Sequence, residues 1–276
     1  MTINIGGKLL NLTTPRIMGV LNITPDSFFD GGKYNSEKEI LCQVEKMINE
    51  GADIIDVGGY SSRPGAKEVK LSDEIERVIP VIKLIKKEFD KTIVSIDTFR
   101  SQVAKKAVNL GASIVNDISG GEIDSNMYKC VSELKVPYII MHMKGNPSNM
   151  QNQPTYKNVV NEVVTNLSKK IFLARQNGIM DIIIDPGFGF GKTLNHNYEI
   201  LNNLEHFKEL DCPILVGVSR KSMIYKPLEI EPNKALNGTT CIHTISILSG
   251  ANILRVHDVK EAKEVVKLTN ILKGNT

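Results

Sequence analysis

The sequence is poor in cysteine and has neither a long apolar run nor a block of like charge. Its four cysteines among 276 residues lie far apart without a Cys-x-x-Cys pair, so neither a zinc site nor a disulfide framework is expected. No apolar stretch approaches the roughly 18 residues that a membrane span needs. The first residues, MTINIGGKLL, lack the basic and apolar regions of a secretory signal. We therefore expect reduced thiols and a cytoplasmic enzyme or binding protein.

Charge is also evenly spread along the chain. The formal net charge of +3 arises from 34 basic and 31 acidic residues. Without a block of like charge, neither a nucleic acid nor an anionic membrane surface is an expected partner, which leaves small molecules. Hydrophobic residues make up 41% of the chain, an ordinary value for a globular protein. Because barrels of alternating strands and helices reach about 250 residues as one domain, we predict a single domain over residues 1–276.

A unit of helix, glycine and strand repeats through the chain. Gly51-Ala52, Gly111-Ala112 and Gly250-Ala251 each precede an apolar run, as expected where a glycine ends a helix just before a strand. The apolar runs do not alternate with polar residues, which is typical of strands covered on both faces. We predict strands over 17–22, 54–58, 93–97, 113–116, 138–143, 182–185, 214–218 and 253–257.

Eight such units predict an α/β fold of the (β/α)8 barrel type. The spacing of the strand ends is close to the roughly 30 residues of one strand with its crossover helix. An open doubly wound sheet would satisfy the same alternation, but eight units are many for one open sheet. Residues 3–12, with Gly6-Gly7 in the middle, predict a β-hairpin across the amino-terminal end of the barrel.

Four polar side chains at predicted strand ends form a candidate ligand site. Asp97, Asn116 and Asp185 each close an apolar run, and Lys221 follows the seventh run. A carboxylate accepts a parallel pair of hydrogen bonds from two adjacent N–H donors of a guanidine-like ring. An amide matches a mixed donor and acceptor edge, and an ammonium matches a ring carbonyl or nitrogen. The alternative is that Asp97 and Asn116 merely cap the following helices.

Arg255 and His257 form a candidate anion site on the eighth predicted strand. Alternate residues of a strand share a face, so the two side chains point to the same side. Asp258 and Glu261 predict a capping box at the start of the next helix, whose amino terminus also favours anions. Loops near strands seven and eight commonly bind phosphate in a barrel of this type. The alternative is an arginine that pairs with a neighbouring carboxylate.

The run IIIDPGFGFGK at 182–192 delivers Asp185 from a buried strand into a glycine-rich binding loop. Residues 191–193 imitate the end of a phosphate loop, but the first glycine of that motif would fall on Pro186. The glycine spacing also fails the dinucleotide fingerprint. His142 has no second histidine at ligand spacing, so we interpret it as a strand-end polar group between core methionines.

Two long segments without periodicity, 24–35 and 60–70, follow the first and second predicted strands. Loops of this length in a compact domain are usually lids or binding segments. We therefore expect both segments to border the candidate site.

Taken together, these motifs give the chain a close resemblance to the dihydropteroate synthase family over almost its whole length. The matching stretches are LNITPDSFFDGG at 21–32, DVGGYSSRPGA at 56–66, SIDT at 95–98, NDISGG at 116–121, IIIDPGFGFGK at 182–192, SRKSMI at 219–224 and RVHDVKE at 255–261. The resemblance implies a transferase of folate biosynthesis that condenses 6-hydroxymethyl-7,8-dihydropterin diphosphate with 4-aminobenzoate. It also implies a homodimer and a sulfonamide target.

The resemblance assigns roles to individual residues. The residues that would hold the pterin ring are Asp97, Asn116, Met141, Asp185 and Lys221. Those that would hold the diphosphate are Arg255, His257, Ser62 and Asn22, the last through a magnesium ion, Mg2+, which is the cofactor implied. Those that would line the 4-aminobenzoate slot are Ser62, Arg63, Phe190, Ser219 and Ser222. The catalytic roles would fall to Asp97, Lys221 and Arg63.

The chain departs from the family pattern at three loop positions. Tyr60 stands where glutamate is usual, Ser62 where threonine is usual and Phe29 where serine is usual. These departures leave open a second hypothesis, a homologue that binds a pterin without making the product. A third hypothesis is a pterin-binding methyltransferase of similar barrel, which should lack both the Arg255-x-His257 pattern and the run SRK at 219–221.

Overall fold

Eight parallel strands form the wall of a barrel in the computed structural model, which describes residues 1–23, 33–60, 68–145, 150 and 154–274. The amino-terminal hairpin consists of β1 (Thr2–Ile5) and β2 (Lys8–Asn11). The barrel strands are β3 (Arg16–Asn22), β4 (Ile54–Gly58), β5 (Ile93–Asp97), β6 (Ile114–Asp117), β7 (Tyr138–Met141), β8 (Ile182–Asp185), β9 (Leu215–Val216) and β10 (Ile253–Val256). Each predicted strand is confirmed, although those near 138 and 214 are shorter than expected.

Helices alternate with these strands along the chain. They are α1 (Lys33–Asn49), α2 (Leu71–Glu88), α3 (Ser101–Asn109), α4 (Met127–Leu134), α5 (Val159–Gln176), α6 (Leu194–Asn202), α7 (Ser222–Tyr225), α8 (Leu236–Leu248) and α9 (Val259–Leu272). Short 3-10 segments cover Leu204–Leu210 and Pro232–Lys234. Among the helices in the described ranges, none has the length and apolar character needed to cross a membrane.

The sheet closes on itself, which distinguishes a barrel from an open sheet. Its strands pair in the order β8-β7-β6-β5-β4-β3-β10-β9. The two ends of this order then meet in a parallel bridge between Ile184 and Ile214. The predicted (β/α)8 barrel is therefore confirmed, and the open doubly wound alternative is wrong.

The hairpin covers the amino-terminal end of the barrel, as predicted. Ile3 and Leu12 are buried, with exposed fractions of 2% and 0%. They pack in one apolar cluster with inward-facing residues from the beginnings of the strands, among them Met18, Ile54 and Ile183. The cluster is an apolar layer across this end of the barrel, whereas ligand sites of this fold lie at the carboxyl ends of the strands.

The outward-facing strand residues bury a second, larger surface under the helices. Val57, Val94, Val115 and Ile184 belong to one cluster with the apolar faces of the surrounding helices. Because both faces of each strand are covered, the apolar runs need no polar alternation. This explains why the strands could be recognised in the sequence.

The predicted helix ends are confirmed, and α9 begins where predicted but without the predicted capping box. Gly51, Gly111 and Gly250 have φ values of +99°, +106° and +109°, a region that favours glycine. At the start of α9, Asp258 occupies the N-cap position, but its side chain makes no capping hydrogen bond. The capping box predicted from Asp258 and Glu261 is therefore not formed. The carboxylate of Asp258 binds Arg220 instead, at 2.6 and 2.9 Å.

Candidate active site

Polar side chains gather inside the barrel near the carboxyl ends of the strands. The last inward-facing positions of β5, β6, β8 and β10 are occupied by Asp97, Asn116, Asp185 and Arg255, respectively. Asp97 and Asn116 are directly paired in the sheet register. Because inward positions alternate with core-facing ones, these side chains share the barrel interior.

Arg255 lies between two carboxylates and binds both. Its Nε donates to Asp56 Oδ2 at 2.6 Å, and its Nη2 donates to Asp97 Oδ2 at 2.7 Å. Burial lowers the pKa of Arg255, but the two carboxylates outweigh burial, so its pKa is raised above the ordinary value. Arg255 therefore does pair with neighbouring carboxylates, as the alternative above has it, but these bonds use only Nε and Nη2, so they do not decide against an anion site.

Asp97 faces the barrel interior and does not cap a helix. The first backbone N–H of α3, from Ser101, is bound by Asp124 at 2.7 Å. Burial raises the pKa of Asp97 to about 7, and the charge of Asp56 adds to that increase while Arg255 opposes it. Asp97 thus changes charge near neutral pH in this environment.

Asn116 also lies within the site and does not cap a helix. Its exposed fraction is 5%, and its Nδ2 donates to Asp56 Oδ2 at 3.1 Å. The same carboxylate oxygen therefore accepts hydrogen bonds from both Asn116 and Arg255. The capping alternative is wrong for both Asp97 and Asn116.

The loop after β8 presses against the barrel mouth because of its glycines. Gly187 has φ +73°, and a Cβ at this position would collide with the carbonyl oxygen of His142. The backbone N–H of Gly187 donates to Asp185 Oδ1 at 2.7 Å, which orients that carboxylate. Burial raises the pKa of Asp185, and Lys221 opposes this increase.

Lys221 extends from the loop after β9 toward the same interior. Its Nζ donates to the carbonyl oxygen of Phe188 at 2.6 Å and lies 4.7 Å from the centre of the Phe190 ring. Burial lowers the pKa of Lys221 to about 8, while Asp185 raises it and Arg255 lowers it further. The four residues predicted to share one cavity are therefore brought together around Arg255 and Asp56.

Lys192 explains the glycine-rich run that imitates a phosphate loop. Its side chain is buried and its Nζ lies 2.9 Å from both the carbonyl oxygen of Gly187 and His142 Nδ1. A third contact reaches the carbonyl oxygen of Phe190 at 3.1 Å. Lys192 is thus an internal brace of the loop.

Burial, with Lys192 nearby, lowers the pKa of His142 to about 2, so His142 is a neutral strand-end group between methionines as predicted.

His257 and Ser219 lie together at the rim of the barrel. His257 is exposed, and its Nδ1 lies 3.1 Å from Ser219 Oγ. Arg220 has φ +54°, and its guanidinium binds Asp258 with two hydrogen bonds. This ion pair holds the run 219–221 against the end of β10. His257 and Arg255 thus share a face of the strand, as predicted, but Arg255 lies deeper.

Asn22 and Asp97 flank a glycine that keeps space open between them. A Cβ at Gly58 would lie 3.6 Å from Asn22 Oδ1 and 3.5 Å from Asp97 Oδ2. Both atoms are hard oxygen donors at the ends of β3 and β5, the strands on either side of β4. Within the described ranges, no group of three or more His, Cys, Asp or Glu side chains is arranged to hold a metal ion.

An apolar wall stands beside these polar groups. Met141 is buried in a cluster with Phe99 and Met143, and Tyr60 and Phe190 pack on its edge. The rings of Tyr60 and Phe99 meet edge to face with centroids 5.0 Å apart. This wall gives the cavity one flat apolar side. Ser222 is the first residue of α7 and directly follows Lys221.

Two predicted site residues and one noted departure lie outside the described residues. They are Ser62, Arg63 and Phe29. Two residues that matter to the site were missed in the sequence, namely Asp56 and Lys192. A signal for Asp56 was available, because a carboxylate inside a strand covered on both faces requires a buried partner.

Comparison with known proteins identifies relatives along the full length. The family described as "Pterin binding enzyme" matches residues 18–257. The dihydropteroate synthase of Escherichia coli (strain K12) is 44% identical over 264 residues, which cover 95% of this chain and 93% of the relative.

Two solved structures have the same fold. The Yersinia pestis dihydropteroate synthase in a sulfonamide drug complex aligns with a TM-score of 0.93 at 36% identity and covers 100% of both chains. The Xanthomonas albilineans dihydropteroate synthase in complex with 7,8-dihydropteroate aligns with a TM-score of 0.89 at 34% identity and covers 99% of both chains.

Proposed function

The chain belongs to the dihydropteroate synthase family of pterin-binding enzymes, and from that premise we propose how its residues divide the work of the reaction. The enzyme is a transferase of folate biosynthesis. It joins 4-aminobenzoate to 6-hydroxymethyl-7,8-dihydropterin diphosphate and releases 7,8-dihydropteroate and diphosphate. The observation that carries the division of roles is the meeting of Asp97, Asn116, Asp185 and Lys221 inside one barrel mouth.

The pterin ring occupies the interior beside the apolar wall. Asp185, oriented by the Gly187 N–H, accepts the paired N–H donors of the guanidine-like edge of the ring. Asn116 matches a mixed donor and acceptor edge, and the Lys221 ammonium donates to a ring carbonyl or nitrogen. Met141 supplies an apolar surface for one face of the ring. Each polar atom of the heterocycle thereby gains a partner that replaces water.

The diphosphate lies at the rim, on the side of β10. Arg255 supplies positive charge, His257 supplies a ring N–H donor, and the α9 amino terminus adds backbone N–H groups. Ser62, which lies outside the described residues, completes this set in the proposal. The cationic groups stabilise the negative charge that develops on the leaving oxygen.

A magnesium ion fits this arrangement. Asn22 offers one oxygen at the strand end, and a magnesium ion commonly takes only one or two protein ligands together with substrate phosphates and water. Asn22 is the residue that would hold it. When bound, the ion would neutralise charge on the diphosphate.

The chain's own residues then stabilise the reacting centre. The bond between the methylene carbon and the diphosphate oxygen breaks, and its electron pair leaves with the diphosphate. The resulting cationic methylene faces the carboxyl group of Asp97, which carries a negative charge above its pKa of about 7. The amine of 4-aminobenzoate donates its electron pair to form the new C–N bond and loses one proton to solvent. No covalent bond to the enzyme is needed.

The 4-aminobenzoate slot lies between the loops after β8 and β9. Phe190, held near Lys221 by a cation–ring contact, and Ser219 and Ser222 line it in the proposal. Arg63 and Ser62 would close it from the segment after β4. Because a sulfonamide occupies the Yersinia relative, we extend inhibition by sulfonamides to this chain.

A homodimer is supported by apolar side chains on two adjacent helices. Leu268 and Leu272 on α9 are 67% and 71% exposed, and Ile271 lies between them. Ile245 and Leu248 on the neighbouring α8 extend the same apolar surface. Such a surface is stabilised when a second copy covers it. Free Cys42 and Cys241 at the surface fit the reducing cytoplasm proposed for this enzyme.

The test of these roles is a turnover assay on the purified full chain. Pterin diphosphate, 4-aminobenzoate and magnesium are mixed with the enzyme, and released diphosphate and 7,8-dihydropteroate are quantified in parallel. Equal amounts of both products are expected. Pterin binding without diphosphate release would instead favour the non-catalytic homologue, which the synthases matched over the whole chain do not support.

A further inference from the structure

Asp56 lies deeper in the barrel than the residues assigned above. It is the middle residue of β4 and its exposed fraction is 0%. Gly58, two positions later, pairs with Asp97, so Asp56 occupies the inward position directly below that level. An ionised side chain at such depth is costly unless its charge is compensated by neighbours.

The contacts of Asp56 reach two strands away in each direction. Its Oδ2 accepts from Arg255 Nε on β10 at 2.6 Å and from Asn116 Nδ2 on β6 at 3.1 Å. In the sheet order, β3 separates β4 from β10 and β5 separates β4 from β6. One oxygen atom therefore joins opposite sides of the barrel interior.

These bonds determine which atoms the two partners present to a ligand. The side-chain nitrogen of Asn116 donates to Asp56, so the amide oxygen of Asn116 points away from Asp56. Arg255 donates from Nε to Asp56 and from Nη2 to Asp97, and in the proposed site Nη1 and the second N–H of Nη2 are the donors for an anion. Asp56 thus sets the hydrogen-bonding direction of an amide and a guanidinium at once.

A role in stability alone does not account for this arrangement. Arg255 binds two carboxyl groups, one more than a single guanidinium needs for charge balance. Asp56 Oδ1 and Oγ of the sheet-paired Ser95 are both buried without a hydrogen-bond partner among the described residues. Replacing buried ion pairs by apolar groups is often neutral or stabilising. Stability alone therefore gives no reason for this cluster.

We propose that Asp56 is a positioning residue that couples the pterin and diphosphate halves of the site through Asn116 and Arg255. This inference rests on the roles proposed above for those two residues. When an anion draws the guanidinium toward the rim, Asp56 Oδ2 loses part of one bond and binds the Asn116 amide more strongly. Diphosphate and pterin should therefore favour each other's binding, and by linkage the effect is reciprocal.

The experiment measures pterin affinity by calorimetry on the full chain, with and without inorganic diphosphate and magnesium. The probe is 6-hydroxymethylpterin, which carries no phosphate. In the unchanged enzyme we expect diphosphate to tighten pterin binding about 5-fold or more. In Asp56→Ala we expect pterin binding about 10-fold weaker and the effect of diphosphate reduced to less than about 2-fold.

A double-mutant cycle separates positioning from a general effect on folding. If Asp56 acts through Asn116, adding Asp56→Ala to Asn116→Ala should weaken pterin binding by no more than about 2-fold. Ser95→Ala, at the paired position on β5, removes a buried polar atom of similar depth and should leave the coupling unchanged. Asp56→Asn keeps the side-chain volume and a hydrogen-bond acceptor but removes the charge. It is the variant to use if Asp56→Ala does not fold. In Asp56→Asn, too, the effect of diphosphate on pterin binding must fall.

The results distinguish the role of Asp56 from the site assignment on which it rests. Unchanged coupling in the Asp56 variants, or fully additive losses in the cycle, would overturn the role of Asp56. If Asn116→Ala leaves pterin affinity unchanged and Arg255→Ala leaves diphosphate affinity unchanged, the proposed site assignment fails instead. The two failures are therefore distinguishable.

Discussion

The two ends of the barrel interior are built on the same strands but have opposite chemistry. On four strands an inward-facing isoleucine at the amino-terminal end is followed two positions later by a polar residue. The pairs are Ile54 and Asp56, Ile114 and Asn116, Ile183 and Asp185, and Ile253 and Arg255. The isoleucines pack under the hairpin, whereas the polar residues form the site.

This contrast separates stability from function along a single strand. Burial of an isoleucine side chain contributes about 1.5–3 kcal/mol to stability. The buried carboxylates at the other end gain no comparable stabilisation, because desolvation raises the pKa of Asp97 and of Asp185. The free energy gained by apolar burial at one end therefore offsets the free energy of desolvating the charged groups at the other end.

The largest expected effect is at the apolar end of β8. Ile183→Ala should lower the free energy of unfolding by about 2–5 kcal/mol, because it leaves a cavity in a fully buried layer. Turnover per folded molecule should change little. Urea denaturation followed by circular dichroism, with active-site titration as control, checks both statements. A large loss of turnover at unchanged stability would contradict the separation of the two ends.

The next effect lies two residues along the same strand. Asp185→Asn, and independently Lys221→Ala, should lower kcat/KM for pterin diphosphate about 10-fold or more, because a charge-assisted hydrogen bond contributes roughly 1.5–3 kcal/mol. Stability should change less than in Ile183→Ala. Steady-state kinetics and the same denaturation assay are compared. Full activity in both variants would reject the pocket assignment.

A smaller effect concerns stability as a function of pH. Because the pKa of Asp97 is raised to about 7, the folded state holds its proton over a range where the unfolded chain has lost it. The contribution of Asp97 to stability is therefore greatest at acid pH and is lost as pH rises toward 7. Asp97→Asn should abolish that part of the decline. Urea denaturation at several pH values from about 5 to about 8 tests this, and parallel curves for the two proteins would disprove it.

The smallest expected effect is the pH dependence of pterin binding that the Lys221 ammonium causes. Lys221 has a pKa lowered to about 8, so it loses its proton and its donor capacity as pH rises through that value. Pterin affinity should decline across the same range. In Lys221→Arg the decline should move to higher pH, because a guanidinium keeps its proton. Binding titrations of the two proteins on either side of pH 8 compare them, and identical profiles would exclude Lys221 as the titrating group.

Much of the site could be predicted because each polar residue follows a strand that is apolar on both faces. Asp97, Asn116 and Asp185 stood out for that reason, and closure of the barrel brings them to one mouth. Asp56 was not recognised, since it lies inside a strand and its partners are Arg255 and Asn116, 199 and 60 positions away. Spacing along the chain does not reveal such distant contacts.

The start of α9 is a second example of a contact that the sequence alone does not predict. Asp258 and Glu261 have the residue types and the spacing of a capping box, yet Arg220 binds the carboxylate of Asp258 instead. The guanidinium of Arg220 gives the Asp258 carboxylate two hydrogen bonds in which both partners are charged, whereas a cap would give it bonds to uncharged backbone N–H groups. Local patterns therefore predict a cap only where no tertiary partner competes.

Taken alone, the sequence determined the eight strands, the barrel, the hairpin across its end and the family, because periodicity and motifs are local properties of the chain. Only the tertiary structure decided that Arg255 lies between Asp56 and Asp97, that Lys192 braces the loop after β8 and that Asn116 turns its nitrogen toward Asp56. Hydrogen-bond partners inside a closed barrel come from strands far apart in sequence, and burial makes the choice among them depend on distances of a few tenths of an ångström.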